Sequence, residues 1–485
     1  MSSAIEGLQP GGLWRYFAEI SKIPRCSKNE AAISKYVLDT AKRLGLEASS
    51  DQDGNVVVRK PSSPGREGVR SVVLQGHLDM VCEKNKDTVH DFSSDPIELV
   101  RDGNTIRANG TTLGADNGIA VATNLALMEG AGLEHGPLEF LFTVDEETGL
   151  TGANNLGTDF LESTTLINLD SEEEGALYVG CSGGKNTVAT WRVSREAPPA
   201  KHACAAVSVR GLRGGHSGLE IDKGRGNAIK ILTRVLLELS GLGARLSAIE
   251  GGNKHNAIPR EAEATVFLPM KNWEDAVRRV EEMEVLLRNE VSTVEPDLAV
   301  RIEQVKGKSR GKVMKRTQQR GMLAGLAAMP HGVVKMSADI PGLVETSTNL
   351  AVIKTTRRGV EVATSQRSSV SSEIEEICQS VAFILDLAGA EVSIEGGYPG
   401  WKPNLNSPIL AVAKSTYRDL YGRDPEVKAI HAGLECGIIG EKYPGMDMVS
   451  LGPTLEAVHS PDEKIYIDSV EKYWTYLLAI LRNVS

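Results

Sequence analysis

The sequence predicts an α/β protein in which a mostly parallel sheet carries the chemistry and an α+β domain is inserted into it. Three observations predict this. In the first part of the chain apolar strands alternate with helices, and the strands end in His, Asp or Glu (SVVLQGHLDM, LEFLFTVDEETG, TTLINLD). From about residue 187 the pattern becomes that of antiparallel strands, such as ACAAVSVRGL and EATVFLP. Residues suited to holding a metal resume only near the end, in HAGLECG and SLGPTLEAVHSPDE. A chain of 485 residues is also too long for one hydrophobic core. The expected boundaries are a discontinuous chemistry-bearing domain at 1–186 and 399–485, and an inserted lid domain at 187–398.

Taken in order, Trp14–Ile23 and Glu30–Leu44 have apolar residues at helical spacing, and DGNVVVRK is a turn entering a β-branched run. The strand SVVLQGHLDM follows, then the helix IAVATNLALMEG and the strands LEFLFTV and TTLINLD. In the insertion, VATWRV and LAVRIEQV read as further strands, and Asn227–Leu239 and Trp273–Leu287 as helices. VETSTNLAVIKTTRRGVEVATSQR reads as a hairpin and SSEIEEICQSVAFILDLAG as a helix. The turn-rich EGGYPGWKPNLNSP reads as a linker, before helices Ile409–Tyr421 and Ser469–Leu481.

Composition excludes several classes. A net charge of −10 argues against nucleic acid as a partner, because phosphate neutralisation needs clustered Lys and Arg. The one basic run, Lys306 to Arg320, reads as a solvated face or loop. No run of 18 apolar residues suggests a membrane span, and MSSAIEGLQPGG lacks the charged-then-apolar pattern of an export signal. The six cysteines are scattered, with no C-x-x-C pair, which fits neither a structural zinc site nor a disulfide framework. A reducing cytoplasm is the expected location.

The candidate site residues are individually weak. His77 and Asp79 stand two apart on a strand and so share a face, which lets the carboxylate orient the ring. Asp116, in G-A-D-N-G before a helix, has an N-cap as its bland alternative. Glu146 and Glu147 follow Asp145, and three adjacent carboxylates repel unless cations offset them. A bend at the strand end would turn both glutamates inward, one to bind metal and one to move protons; the alternative is a solvated acidic turn. Asp170 ends LINLD, and His459 lies in EAVHS almost three hundred residues later. Together, the five ligand candidates His77, Asp116, Glu147, Asp170 and His459 at loop ends make the set convincing.

GHLDMV, GTTLGADNGIA, DEETGLTGA, NLDSEE, GGHSG and EAVHS, in this order, resemble the co-catalytic zinc peptidases that include glutamate carboxypeptidase and aminoacylase. With the opening WRYFAEISKIPRCSKNE, the likeness is closest to their cytosolic Xaa-His (aminoacyl-histidine) dipeptidase branch, also called peptidase D. The resemblance implies that His77 and Asp170 hold one zinc, Glu147 and His459 the other, that Asp116 bridges them, and that the peptide bond from Asp116 to Asn117 is cis. It implies Glu146 as general base, Asp79 as partner of His77, and His216 in RGGHSG as oxyanion donor, with a loop histidine as the alternative. Arg367 would clamp a terminal carboxylate, its alternative being an exposed strand arginine; Asn256 and Gly433 would line the substrate site. Two Zn²⁺ against Asp116, Glu147 and Asp170 leave one positive charge for a bridging hydroxide, and mixed His and carboxylate donors also accept Mn²⁺ or Co²⁺.

The function implied is hydrolysis of unblocked dipeptides of the Xaa-His type, a carnosine-like substrate included. An aminoacylase-like hydrolase of N-acyl amino acids is the alternative on the same metals. His216 would act within one chain or from a partner subunit, the latter in a homodimer paired through the lid domain.

Overall fold

The computed structural model describes residues 3–305 and 311–485. It divides into two compact units: residues 1–180, 401–429 and 434–485 form unit 1, and residues 181–400 and 430–433 form unit 2. The basic run is covered in part. Residues 306–310 lie outside the described residues, and the remainder enters the short strand Val313–Met314 and the helix Arg316–Ala328.

Unit 1 is built on an eight-stranded mixed sheet. Its centre is four parallel strands in the spatial order Leu138–Thr143, Val72–His77, Thr165–Asn168 and Asp447–Ser450. All residues of the first three are buried, which is why these runs are continuously apolar rather than alternating. Helix Gly11–Ile20 packs on helix Ala115–Glu129, with Leu13, Trp14 and Phe17 fully buried. A smaller four-stranded sheet, invisible in the sequence pattern, joins Leu99–Asp102 and Thr105–Ala108 to the hairpin Leu455–Glu456 and Lys464–Tyr466. It thereby brings the two ends of the chemistry-bearing sequence together.

Unit 2 is an antiparallel nine-stranded sheet backed by helices. Helix Ala228–Gly241 starts at Asn227, whose side chain accepts from the amides of Ile229 and Lys230. Its apolar face, including Leu232, Val235 and Leu236, meets Val207, Val266 and Leu350 in the core. The start of the stretch read as a linker, residues 395–398, is instead the end of an edge strand, Glu391–Tyr398, paired with Gly183–Trp191. Glycines at 396 and 397 disguised it, and a register shift between Glu395 and Tyr398 accommodates them.

The expectation of six unpaired cysteines is corrected. Cys26 and Cys82 are joined in a disulfide with their Cα atoms 5.7 Å apart. A parallel bridge between Cys26 and Met80 aligns the two backbones, so tertiary structure and not spacing makes the pair. The other four cysteines are buried. Among the described residues no helix is long and apolar enough to cross a membrane.

Candidate metal centre and its surroundings

Three neighbouring parallel strands end at the site. His77 is the last residue of its strand, Glu146 and Glu147 follow Thr143, and Asp170 follows Asn168. Ligands beyond the carboxyl ends of parallel strands are the expected arrangement for an open α/β sheet. Asp145 has φ 50°, and this left-handed residue turns the chain into a short helical turn at Glu146–Gly149. The bend aims both glutamates inward, so the solvated acidic turn is excluded. Asp116 turns its carboxylate to His77 and His459 instead of capping its helix, and its bond to Asn117 is cis. Asn117 Oδ1 accepts from His77 N while its Nδ2 donates to Leu169 O, linking two of the strands. Gly76 permits that approach, since a Cβ there would stand 2.5 Å from Asn117 Oδ1.

His77 Nε2 lies 3.1 Å from Asp116 Oδ1 and 3.4 Å from Asp170 Oδ1. His459 Nε2 lies 3.0 Å from Asp116 Oδ2 and 3.0 Å from Glu147 Oε2. Asp116 therefore turns one oxygen to each histidine. Atoms bound to one tetrahedral zinc at about 2.0–2.1 Å stand about 3.3 Å from each other, so each trio has the spacing of a shared metal. His77, Glu146 and Glu147 form a further grouping, with donor atoms all within 4.8 Å, so Glu146 also faces this space.

Electrostatics point the same way. Two unit charges 4 Å apart repel by about 4 kcal/mol at an effective dielectric of about 20, and four carboxylates share this pocket. Burial, with Asp116 and Glu147 adding repulsion against the pull of His77, pushes Asp170 up to about 6. Burial, then Asp170, Glu147 and Glu435, hold Glu146 well above the usual carboxylate range. Hydrogen bonds to Asp116 and Glu147 push His459 up to about 11. For Asp79 the burial penalty is outweighed by His77 and by donors that include Glu146 N, and its carboxyl drops to about 2. The oxygen Oε1 of Glu147 is buried without a hydrogen-bond partner. Excess buried negative charge with an orphaned acceptor calls for cations, so this nitrogen-and-oxygen donor set fits two divalent ions.

Asp79 does more than the sequence suggests. Its Oδ1 lies 3.3 Å from His77 Nδ1 and accepts from Glu146 N, while Oδ2 accepts from Glu147 N and Ser27 Oγ. One carboxylate thus sets both the ring and the glutamate turn. Asp79 also forms a wholly buried group with Glu30 and Asp145. Amides and the hydroxyls of Ser27, Thr148 and Thr151 satisfy that group internally.

Sequence reasoning missed Arg25 and Glu463 as members of this region, and placed Glu435, with Gly433, only among the substrate contacts that the resemblance implies. Glu435 is fully buried and accepts from Gln75 Nε2 and Thr143 Oγ1 beneath the site. Burial, with Asp170 and Asp79, pushes it up to about 7. A carboxylate in the apolar setting ECGII was the available signal.

The remaining candidates belong to unit 2. Arg367 is only 7% exposed, which excludes the exposed strand arginine. Its Nη1 donates to Tyr398 Oη at 2.9 Å, and its buried Nε has no hydrogen-bond partner. His216 Nδ1 accepts from the amides of Gly218 and Leu219 at 3.2 and 3.1 Å. An amide only donates, so the ring keeps its proton on Nε2. Burial and then Arg367 lower the pKa of His216, which favours this neutral form. Gly218 lies at the centre: a Cβ there would meet His431 O at 2.2 Å, His216 Cε1 at 3.1 Å and Arg367 Nε at 3.3 Å. Gly433 lies against the Tyr398 ring, whereas Asn256 is exposed and is joined to the group through its carbonyl, which accepts from Ser217 N. His431, without a role in the sequence reading, is buried with Nε2 2.7 Å from Ser347 Oγ.

The paired His-carboxylate trios beyond the carboxyl ends of the parallel strands suit a metal-dependent hydrolase. Residues 73–483 match peptidase family M20/M25/M40, and the chain belongs to that family. It is 42% identical over 483 residues, 99% of either chain, to the cytosol non-specific dipeptidase of Escherichia coli (strain K12). The crystal structure of aminoacylhistidine dipeptidase from Vibrio alginolyticus matches with a TM-score of 0.93 and 42% identity, covering 100% of this chain and 98% of that one. Aminopeptidase PepT from Bacillus cereus shares the fold, with a TM-score of 0.57 at 18% identity over 98% and 99% of the two chains.

Proposed function

We propose that the chain is a cytoplasmic two-zinc dipeptidase that hydrolyses unblocked dipeptides, those of the Xaa-His type among them. The observation that carries the reading is Asp116 turning one oxygen to His77 and the other to His459. Full-length similarity to a dipeptidase and to an aminoacylhistidine dipeptidase supports the substrate class. His77 and Asp170 would hold one zinc, Glu147 and His459 the other, with Asp116 between them. When bound, the two ions would lower the pKa of water towards about 7 and polarise the scissile carbonyl.

The chain's own residues supply the rest. Glu146 takes the proton of the attacking water and returns it to the leaving amine. Asp79 fixes the ring of His77 and the backbone of Glu146. His216, held neutral with its proton on Nε2, donates to the oxygen on which charge develops. Arg367 uses its spare Nε donor on the substrate's terminal carboxylate, with Asn256 and the Gly433 backbone lining the substrate. Pairing of two chains through unit 2 completes the reading; it would cover Phe383 and Leu387, which are 65% and 88% exposed. Sedimentation of the purified protein tests that pairing.

Hydrolysis of Ala-His measured beside N-acetyl-His tests the reaction. Cleavage of Ala-His with little action on the blocked compound is expected. The reverse preference would replace the dipeptidase with an N-acyl amino-acid hydrolase.

A further inference from the structure

Glu463 stands four residues after His459 and is 2% exposed. Its Oε2 accepts from the amides of Leu113 and Gly114 at 2.7 and 2.9 Å. Its Oε1 accepts from those of Ala115 and Asp116 at 2.8 and 3.2 Å. An ionised carboxylate has about four acceptor sites, so four consecutive N–H groups of the loop that delivers Asp116 use them all. The opposite side of that loop is held by Arg25, also buried, at 3% exposure. Arg25 Nη2 donates to Gly114 O, and Nη1 donates to Leu78 O and Asp79 O at 3.1 and 2.9 Å. The loop is therefore gripped by an anion on its amide side and a cation on its carbonyl side.

Each ion also reaches a different ligand. Arg25 ties the Asp116 loop to the strand end that carries His77. Glu463 ties it to the hairpin that carries His459, a half-exposed residue whose ring atom Nε2 meets Asp116 and Glu147. Among the described residues, Lys464–Tyr466 of that hairpin pairs with Thr105–Ala108, while Glu463 N donates to Ser460 O within the hairpin.

We propose that Glu463 and Arg25 are positioning residues that divide the work: Glu463 holds the metal position of Glu147 and His459, and Arg25 that of His77 and Asp170. The proposal rests on the two-metal reading above. Gln in place of Glu463 would offer acceptors from one oxygen and turn an NH₂ group towards two amides, so it breaks half the grip while keeping the shape. Outer partners of metal ligands commonly matter by about 10–100-fold in affinity.

The test is titration of metal-depleted full-length enzyme with Co²⁺, followed by its d–d absorption, with kcat and KM measured on Ala-His. In the wild type two binding steps are expected. Glu463→Gln should weaken one step by about 10–100-fold and leave the other in place, and kcat should fall while KM stays within about twofold. Arg25→Lys should weaken the other step. If Glu463→Gln does not fold, Glu463→Asp, which keeps the charge but shortens the reach by one methylene, is read in the same way. Two wild-type steps in the folded variant, or equal weakening of both, would overturn the division of work. Fewer than two steps in the wild type would instead sink the two-metal reading itself.

Discussion

The polar centres of the two units solve opposite electrostatic problems. In unit 1, carboxylates crowd at the ends of parallel strands, and burial, reinforced by repulsion between neighbouring carboxylates, pushes Asp170 and Glu146 upwards. In unit 2, the charged group is Arg367, and the histidines around it, His216 and His431, are held neutral by burial and by that guanidinium. The first arrangement needs cations and the second offers donors. On the proposed function the difference is a division of labour: unit 1 would cleave the bond, and unit 2 would hold an anionic end of the substrate and an oxyanion.

The largest expected effect breaks unit 1 without touching unit 2. Glu146→Gln should retain both metals yet lower kcat by about 10²–10⁴-fold, the usual worth of a positioned general base. Metal analysis and steady-state kinetics check it, and near-normal turnover would remove Glu146 from the mechanism.

Next comes the reverse experiment. Arg367→Ala should raise KM for dipeptides by about 10–100-fold, matching about 1.5–3 kcal/mol for a hydrogen bond to a charged group. Dipeptide amides should be hardly affected. Equal losses on both substrates would contradict the carboxylate clamp.

Chelation should then separate the units by stability. Ligands that bind only the folded state stabilise it by about 2.7 kcal/mol at a hundredfold excess over Kd. Amide exchange should accelerate around Val72–His77 and Thr165–Asn168 and remain unchanged in Val360–Ser368. Uniform acceleration would show that the metals stabilise both units alike.

The smallest effect is a pH dependence belonging to unit 2. Burial, reinforced by Arg367 and His216 against Asp222, lowers His431 to about 3, and burial with Lys230 lowers His331 to about 4. Both folded pKa values lie below the unfolded value near 6.5. The unfolded chain therefore takes up protons that the folded one refuses, and stability present above pH 6.5 is lost as pH falls towards 4 and then 3. Between pH 6.5 and 5 the loss for His431 is about 2 kcal/mol. Urea unfolding of wild type and His431→Gln at both pH values measures it; an unchanged slope in the variant would assign the dependence elsewhere.

Much of the candidate site was legible because strand ends are local signals. His77 closes a buried apolar strand, and Glu147 and Asp170 follow just beyond the ends of two more, so the burial of each run explains its composition and marks where its polar residues begin. What escaped was long-range. The grip of Glu463 spans about 350 residues of sequence, and nothing local marks a glutamate in HSPDE as an acceptor for amides of another loop. The Cys26–Cys82 bond spans 56 residues and depends on a bridge between two irregular segments. In unit 2 the edge strand Glu391–Tyr398 hid behind two glycines, and with it Tyr398, which orients Arg367. The role of Arg367 came from resemblance, while its spare donor became visible only in the fold.

The most direct test of the account is metal content by plasma emission, paired with Ala-His hydrolysis before and after chelation and after zinc is returned. Two ions per chain, with activity lost on chelation and restored by zinc, is the predicted result. Full hydrolysis by protein that retains no metal after chelation would contradict it.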